Sequence, residues 1–235
     1  MDKLYIVMPA YNEERMIANA VNEWHNIIER IGHDSKLVIF NDGSKDNTLR
    51  VLKSIRSRYP SLVVVNKENA GHGPTCTSAY KYAIAENTDW IFQTDSDGQT
   101  KSGDFWQFWE KRNNYDFIIG YRPKRGDGLV RRFISQTLKV VILIIFKVIV
   151  KDANTPFRLM KAECLRKYMP AIPDDFFLPN TLLSVMITKN KEKIFWQKIT
   201  FTERPSGISS ISPAKIGRLG ITLVKQLYKL RNVKA

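Results

Sequence analysis

Residues 4–40 read LYIVMPAYNEERMIANAVNEWHNIIERIGHDSKLVIF, and this stretch decides the fold class. Its two ends, Leu4 to Met8 and Lys36 to Phe40, are short apolar runs of the kind that form buried strands. Between them Ile17, Ala20, Val21, Trp24, Ile27, Ile28 and Ile31 recur at the spacing of one helical face, with Asn12 ahead of Glu13 and Glu14 as the expected cap. A strand, a helix and a strand in this order make one parallel unit.

Further along the chain the same pattern repeats. Leu62 to Asn66, Trp90 to Thr94 and Phe117 to Tyr121 read as strands. One helix is expected from near Asp46 to Tyr59, stopped by Pro60, and another from Thr75 to Glu86. The expectation is an α/β fold, a single Rossmann-like domain with a mostly parallel mixed sheet flanked by helices. In such sheets ligands bind beyond the carboxyl ends of the strands. Four loops fall there: Pro9-Ala10-Tyr11-Asn12-Glu13, Asn41-Asp42-Gly43-Ser44, Asn69 to Pro74, and Asp95-Ser96-Asp97-Gly98-Gln99.

The second half differs. Phe133 to Val150 is nearly continuous apolar sequence, with Arg132, Ser135, Gln136, Lys139, Lys147 and Lys151 on one helical side. A membrane-crossing helix needs about 20 mostly uncharged residues, so burial against protein or an interfacial position is expected instead. At the C-terminus Ile216, Leu219, Leu223, Leu227 and Leu230 form a second stripe, flanked by Lys215, Arg218, Lys225, Lys229 and Arg231. Such a helix either lies on anionic lipid or packs on the domain with its charges in solvent. The division expected is a domain over 1–213 and a basic amphipathic helix over 214–235.

Composition sets the frame for these motifs. With 235 residues, 43% hydrophobic and 26% charged, the chain has enough apolar content for one full core. Its formal charge of +14, from 37 Lys and Arg against 23 Asp and Glu, calls for an anionic partner: a nucleotide, a phospholipid surface or nucleic acid. Cys76 and Cys164 lack a paired spacing and read as reduced structural thiols. The start Met1-Asp2-Lys3 runs straight into a strand-like segment with no leader pattern, so a cytoplasmic location is expected.

Asp95 and Asp97 are two residues apart, which on an extended segment turns both carboxylates the same way. Hard oxygen ligands in that arrangement suit Mg²⁺ or Mn²⁺ together with substrate phosphates, and Gln99 adds a further oxygen. Acidic turns of this sort also cap helices or bind water, so position after a buried strand is what strengthens the reading. Asp42 offers a carboxylate to a base or a ribose hydroxyl, although Ser44 and Asp46 read equally as caps for the next helix. Gly71-His72-Gly73 lacks the third glycine of a dinucleotide fingerprint; His72 is a phosphate contact or an exposed loop residue. Arg122, Lys124, Arg125, Arg131 and Arg132 form a dense basic patch, suited to phosphate or merely solvated. Arg158 differs, because its neighbours Phe157 and Leu159 are apolar.

Taken together, these segments resemble the family 2 glycosyltransferases, in particular the branch of dolichyl-phosphate mannosyltransferase-like and polyprenyl-phosphate enzymes. Met8 to Glu14 is similar to that family's opening nucleotide loop, Asn41 to Asp46 to its base-binding loop, and Thr94 to Gln99 to its acidic motif. Asn69-Ala70-Gly71 continues the order, and Gly120-Tyr121-Arg122, Asp152 to Arg158 and Glu203 to Ser209 are similar to acceptor-side segments, so that the likeness covers about residues 4–213. The resemblance implies a GT-A fold, a UDP- or GDP-sugar donor, Mg²⁺ or Mn²⁺, and inversion at the anomeric carbon. It implies donor contacts from Pro9, Ala10, Tyr11, Glu13, Asn41, Asp42, Gly71, Asp95, Ser96 and Arg131, a metal at Asp95, Asp97 and Gln99, and catalytic roles for Asp97, Arg122, Arg158 and Asp175. Pro156 departs from the Gly that the branch carries before Phe-Arg. The Gln-Xaa-Xaa-Arg-Trp signature of processive synthases is absent, so a single transfer is expected.

Two acceptors compete. A lipid-linked phosphate is largely ionised at neutral pH and needs no strong base, whereas a saccharide hydroxyl needs a carboxylate, for which Asp174 and Asp175 are the nearest candidates. Their alternative role is a turn after Pro173. A basic nucleic-acid-binding module would explain the charge but not the ordered loops, so no nucleic-acid partner is expected. A membrane surface is, at its cytoplasmic face.

Overall fold

The first four apolar runs become one side of a seven-stranded sheet in the computed structural model, which describes residues 2–32, 34–123, 129–202 and 213–231. Strand and helix alternate through β1 (Leu4–Ala10), α1 (Ile17–Ile31), β2 (Lys36–Asp42), α2 (Thr48–Ile55), β3 (Leu62–Lys67), α3 (His72–Ala85) and β4 (Trp90–Gln93). Then follow α4 (Phe105–Trp109), β5 (Phe117–Tyr121), α5 (Leu129–Phe146), β6 (Arg158–Lys161), α6 (Ala162–Tyr168), α7 (Pro179–Lys189), β7 (Ile194–Lys198) and α8 (Pro213–Lys229).

The strands lie in the order β3-β2-β1-β4-β6-β5-β7. All neighbours pair in parallel except β6, which runs antiparallel to both β4 and β5. This is the mixed, mostly parallel sheet that the sequence predicts. Two strands were not expected, β6 and β7, and the first of them carries a charged residue where an apolar one would have signalled a strand.

Every residue of β1 is buried, and alternate residues enter different cores. Leu4, Ile6 and Met8 pack with Ile17, Val21 and Trp24 of α1, while Tyr5 and Val7 join Cys76, Ala79 and Tyr80 of α3 on the other face. The α1 side is aromatic: Phe92 meets Phe157 edge-on at 4.7 Å between ring centroids, with Trp24, Phe105 and Phe108 around them. The α3 side extends to Ile142 and Phe146 of α5, Leu183 and Ile187 of α7, and Leu223 and Leu227 of α8. Both cysteines are buried free thiols, as their spacing implied.

Three boundaries correct the sequence reading. Helix α1 starts at Ile17 and has no side-chain cap; Asn12 instead takes a left-handed conformation with φ 56° and serves a loop contact. Helix α2 ends at Ile55 and gives way to a 3₁₀ turn, Arg56–Arg58, before Pro60. Helix α3 begins at His72, three residues earlier than expected, because Pro74 in the first turn removes an N–H that would have lacked a helical partner in any case. Among the described residues no helix is long and apolar enough to cross a membrane.

Phe157 has no exposed surface and touches both Phe92 and Phe108, so Phe157→Ala leaves a cavity in the aromatic layer. A loss of about 3–5 kcal/mol is expected in urea unfolding; a loss below about 1 kcal/mol would show that the layer collapses around the gap.

Candidate functional site

The loops after β1, β2, β3 and β4 leave the sheet at one edge and are tied to one another by side-chain hydrogen bonds. Asn12 N donates to Ser44 Oγ at 3.0 Å, and Asn12 Oδ1 accepts from Lys45 N at 2.8 Å. Glu13 N donates to Thr48 Oγ1 at 2.8 Å and Glu14 N to Asp46 Oδ2 at 3.1 Å, which fixes the first loop against the start of α2. Asp46 Oδ1 also accepts from Thr48 N at 2.9 Å, although Asp46 lies one residue before the N-cap Asn47, which makes no side-chain cap bond.

Asn41 and Asp42 sit at the centre of this edge with their side chains already engaged. Asn41 donates to Asn66 Oδ1 at 2.6 Å and accepts from Ser44 Oγ at 2.5 Å. Asp42 Oδ1 accepts from Lys67 Nζ and, at 2.9 Å, from Ala70 N; its Oδ2 accepts from Gly71 N at 2.9 Å. Burial by itself raises the Asp42 pKa, but the bonds from Lys67, Ala70 and Thr75 outweigh it and hold the carboxyl below its ordinary value. Asp42 therefore shapes the Asn69-Ala70-Gly71 loop as a buried anion. Tyr11, in contrast, stands 42% exposed at the rim.

The acidic motif follows β4, but not as an extended segment. The strand ends at Gln93 and residues 96–98 bend, with Gly98 at φ 71°, a region that favours glycine. Gln99 N donates to Asp97 Oδ1 at 3.1 Å, which closes the turn, and Ser96 Oγ donates to Pro9 O at 3.0 Å, which seats it against the first loop. Asp97 is 8% exposed, and the Asp95 side chain is 26% exposed. His72 Nε2 lies 4.0 Å from Asp95 Oδ1 and 3.5 Å from Cys76 Sγ. The electrostatic influence of Cys76, and after it the carboxylates of Asp95 and Asp97, favours the protonated form of His72 and raises its pKa, while the side chain remains 51% exposed at the start of α3.

Among the described residues no group of three or more acidic, His or Cys side chains could enclose a metal. Two carboxylates, Asp95 and Asp97, are the donor set expected for an ion whose other ligands are phosphate oxygens and water, so the residues fit Mg²⁺ or Mn²⁺. Gln99 is the weaker third candidate, because its Nε2 is tied to Thr202 O at 3.1 Å.

On the far side of β4 the acceptor candidates separate. Arg122 makes a two-point ion pair with Asp152, at 2.8 and 2.9 Å, and Phe201 covers its guanidinium. Arg158 has no exposed surface; its guanidinium binds the carbonyls of Thr155 at 2.7 Å and Asn180 at 3.3 Å, and burial lowers its pKa. That is the place of a clamp between β6 and α7. Asp174 and Asp175 form an exposed turn, with Asp174 paired to Lys81. The following Phe176 and Phe177 carbonyls press on Gly73, where a Cβ would lie 2.4 Å from backbone atoms, so this turn borders the start of α3. Lys124, Arg125 and Glu203 to Ser209 lie outside the described residues, as do the side chains of Arg131 and Arg132 on α5.

Thus Pro9, Ala10, Tyr11, Glu13, Asn41, Asp42, Gly71, Asp95, Ser96 and Asp97 share one edge of the sheet. Sequence reasoning passed over Lys67 and Gln93, and met Asp152 only as the first residue of the Asp152 to Arg158 segment.

Comparison with known proteins agrees with this layout. The family model described as glycosyl transferase family 2 matches residues 5–182, so the segment 183–213 extends beyond it. A dolichyl-phosphate beta-glucosyltransferase of Trichomonas vaginalis is 28% identical over 176 residues, 68% of this chain and 53% of its own length. The chain therefore spans about half of that relative. A UDP-N-acetylglucosamine–dolichyl-phosphate N-acetylglucosaminyltransferase of Methanococcus voltae is 25% identical over 187 residues, 70% of this chain and 72% of that protein. Among solved structures, glucosyl-3-phosphoglycerate synthase of Mycobacterium tuberculosis, in complex with Mn²⁺, UDP and phosphoglyceric acid, superposes with a TM-score of 0.66 at 16% identity, covering 100% of this chain and 80% of that one. The likeness places the sheet in the GT-A fold.

Because the Asp42 pKa is depressed, the stabilisation it gives is present above the unfolded carboxylate value of about 3.9 and is lost as pH falls through the folded one. Asp42→Asn is expected to lower stability at neutral pH, with the gap to the parent narrowing below about pH 4 in urea unfolding. A gap that stays constant with pH would mean that Asp42 is not held as an anion.

Proposed function

The chain belongs to glycosyl transferase family 2, and from that premise we propose that it moves a hexose from a nucleotide-diphospho-sugar to a polyprenyl phosphate, once per encounter and with inversion. The observation that carries the reading is the bend holding Asp95 and Asp97 against the Pro9 loop, at the edge where the β1, β2 and β3 loops converge. Mg²⁺ or Mn²⁺ held by these carboxylates would offset the charge that grows on the departing nucleoside diphosphate.

The remaining chemistry belongs to the side chains. A phosphate oxygen of the acceptor forms the new bond to the anomeric carbon as the bond to the diphosphate oxygen breaks, and the electron pair leaves with the nucleoside diphosphate. With a second pKa of about 6, the acceptor phosphate reaches the site ionised, so no strong base is required. Arg122, oriented by Asp152, supplies positive charge for that phosphate. Pro9, Ala10, Tyr11, Glu13, Asn41, Asp42 and Gly71 frame the nucleotide. The names of the Trichomonas and Methanococcus relatives support dolichyl-type phosphate as the acceptor class.

The same reading puts the protein peripherally on the cytoplasmic face of a membrane. Of the seven large hydrophobic side chains exposed among the described residues, six lie on or beside α5 and α8: Val140, Leu143, Ile144, Ile149, Val224 and Tyr228. Lys147, Lys151, Lys225, Lys229 and Arg231 are exposed around them. Apolar insertion and attraction to anionic headgroups then act together.

Two measurements test these proposals. Release of nucleoside diphosphate is to be followed with UDP- and GDP-sugars against polyprenyl phosphate and simple saccharides, with and without Mn²⁺. Metal-stimulated transfer to the lipid phosphate is expected, with a loss of about 100-fold or more in Asp97→Ala. Undiminished transfer by that variant would remove the metal site, and transfer only to saccharides would reassign the acceptor and direct attention to Asp175. Separately, the protein is expected to sediment with anionic liposomes at low salt, and Ile144→Asp to reduce the bound fraction. Equal sedimentation with neutral and anionic vesicles, or none, would reject the surface assigned to α5 and α8.

A further inference from the structure

We propose that Gln93 is a positioning residue for Asp95, and that the buried side chains of Tyr80 and Asn180 dictate which way its amide points. The inference rests on the metal-dependent donor site proposed above and adds to it the device that aims one of its carboxylates.

The antiparallel register of β4 and β6 sets Gln93 opposite Arg158, and residues directly opposite in such a pair project to the same face. Neither has any exposed surface. That face is covered by α3 and α7, which contribute Tyr80, fully buried, and Asn180, 2% exposed. Gln93 Oε1 lies 2.8 Å from Asn180 Nδ2 and 2.9 Å from the Tyr80 hydroxyl oxygen. The Tyr80 hydroxyl lies 2.5 Å from Asn180 Oδ1, and Gln93 Nε2 lies 3.4 Å from Asp95 Oδ1.

Donor arithmetic fixes the orientation. Tyr80 has one proton to give, and the shortest contact directs it to Asn180 Oδ1. With its oxygen so occupied, Asn180 presents Nδ2 to Gln93 Oε1, and Gln93 is left with its own Nε2 toward Asp95. Reversing Gln93 alone would set its Oε1 against the Asp95 carboxylate and its Nε2 against Asn180 Nδ2, and reversing both amides would leave the Tyr80 proton facing only N–H groups and Gln93 Oε1 still against Asp95. Only one arrangement satisfies every group. Asn180 is itself anchored, since its backbone carbonyl accepts from Arg158 Nη1 at 3.3 Å and Ser184 Oγ at 2.8 Å.

Three desolvated amide and hydroxyl side chains are costly in a core that apolar residues could fill. Here the chain of contacts runs from the clamp at Arg158 and α7 to a carboxylate of the acidic loop. Its outlet is a donor N–H beside one oxygen of Asp95, which limits the rotations open to that carboxylate. Outer partners of metal-ligating carboxylates act in this way.

The test uses the full chain and reads free Mn²⁺ by electron paramagnetic resonance in the presence of UDP or GDP, whichever the parent binds. Gln93→Met keeps the length and removes the amide; Mn²⁺ retention is expected to weaken about 10-fold, with metal-free nucleotide binding unchanged. Asn180→Leu is expected to weaken it in the same direction, and the double variant to be no worse than Gln93→Met alone, because both act through one contact. Equal Mn²⁺ retention in the parent and Gln93→Met, with Asp97→Ala still abolishing it, would overturn the positioning role and leave the donor site standing. A parent without metal-dependent nucleotide binding would overturn both. Should Gln93→Met fail to fold, Tyr80→Phe decides: weaker Mn²⁺ retention supports the relay, and retention equal to the parent's rejects it.

Discussion

Parallel pairing of β1 with both β2 and β4 is the constraint on which the rest depends, because it sends the loops after these three strands out of the sheet at the same edge. An antiparallel neighbour on either side would have carried one of those loops to the opposite end. The sheet alone brings the loops near each other. Side-chain bonds such as Asn12 to Ser44 and Lys45, and Ser96 to Pro9, then convert proximity into a fixed surface.

Polarity within that surface is held by buried charge. Asp42 carries a negative charge at 3% exposure, supported by Lys67 and two backbone N–H groups; Arg158 carries a positive one at 0%, supported by carbonyls. Leaving either unsupported would cost several kcal/mol in desolvation, so each forces its surroundings into a single arrangement. Asp42 organises the Asn69-Ala70-Gly71 loop in this way. Arg158 joins β6 to α7, and through Asn180 it reaches the end of β4. The two halves of the domain are therefore coupled by polar groups inside an otherwise apolar core.

Much of this was legible in the chain itself. The 4–40 stretch announces a strand-helix-strand unit, and Asp95 and Asp97 follow an apolar run that does form a strand, because neither inference needs more than local periodicity. Other features depended on partners distant in sequence. Strand β6 reads as Arg158-Leu159-Met160-Lys161, and nothing local reveals that Arg158 also reaches a carbonyl, that of Asn180, 22 residues away. Asn12 looks like a helix cap until Lys45 competes for its side chain. Gln93 looks like a surface residue at a strand end, since the helices that bury it, α3 and α7, contribute Tyr80 and Asn180 from 13 and 87 residues away.

The placement of the excess positive charge completes the physical account. Among the described residues, Lys67, Lys81, Arg112, Arg122 and Lys161 lie within ion-pair reach of carboxylates in the body of the domain. On α8, by comparison, Lys225, Lys229 and Arg231 are exposed beside Val224 and Tyr228, and α8 packs against α5 through Leu223 and Leu227, in one core cluster with Ile142 and Phe146. Charge that serves only solubility needs no apolar companion, and apolar side chains in water are unfavourable without a partner. A surface combining both would suit a phase that is anionic at its rim and hydrocarbon beneath, as the proposed lipid-phosphate acceptor requires.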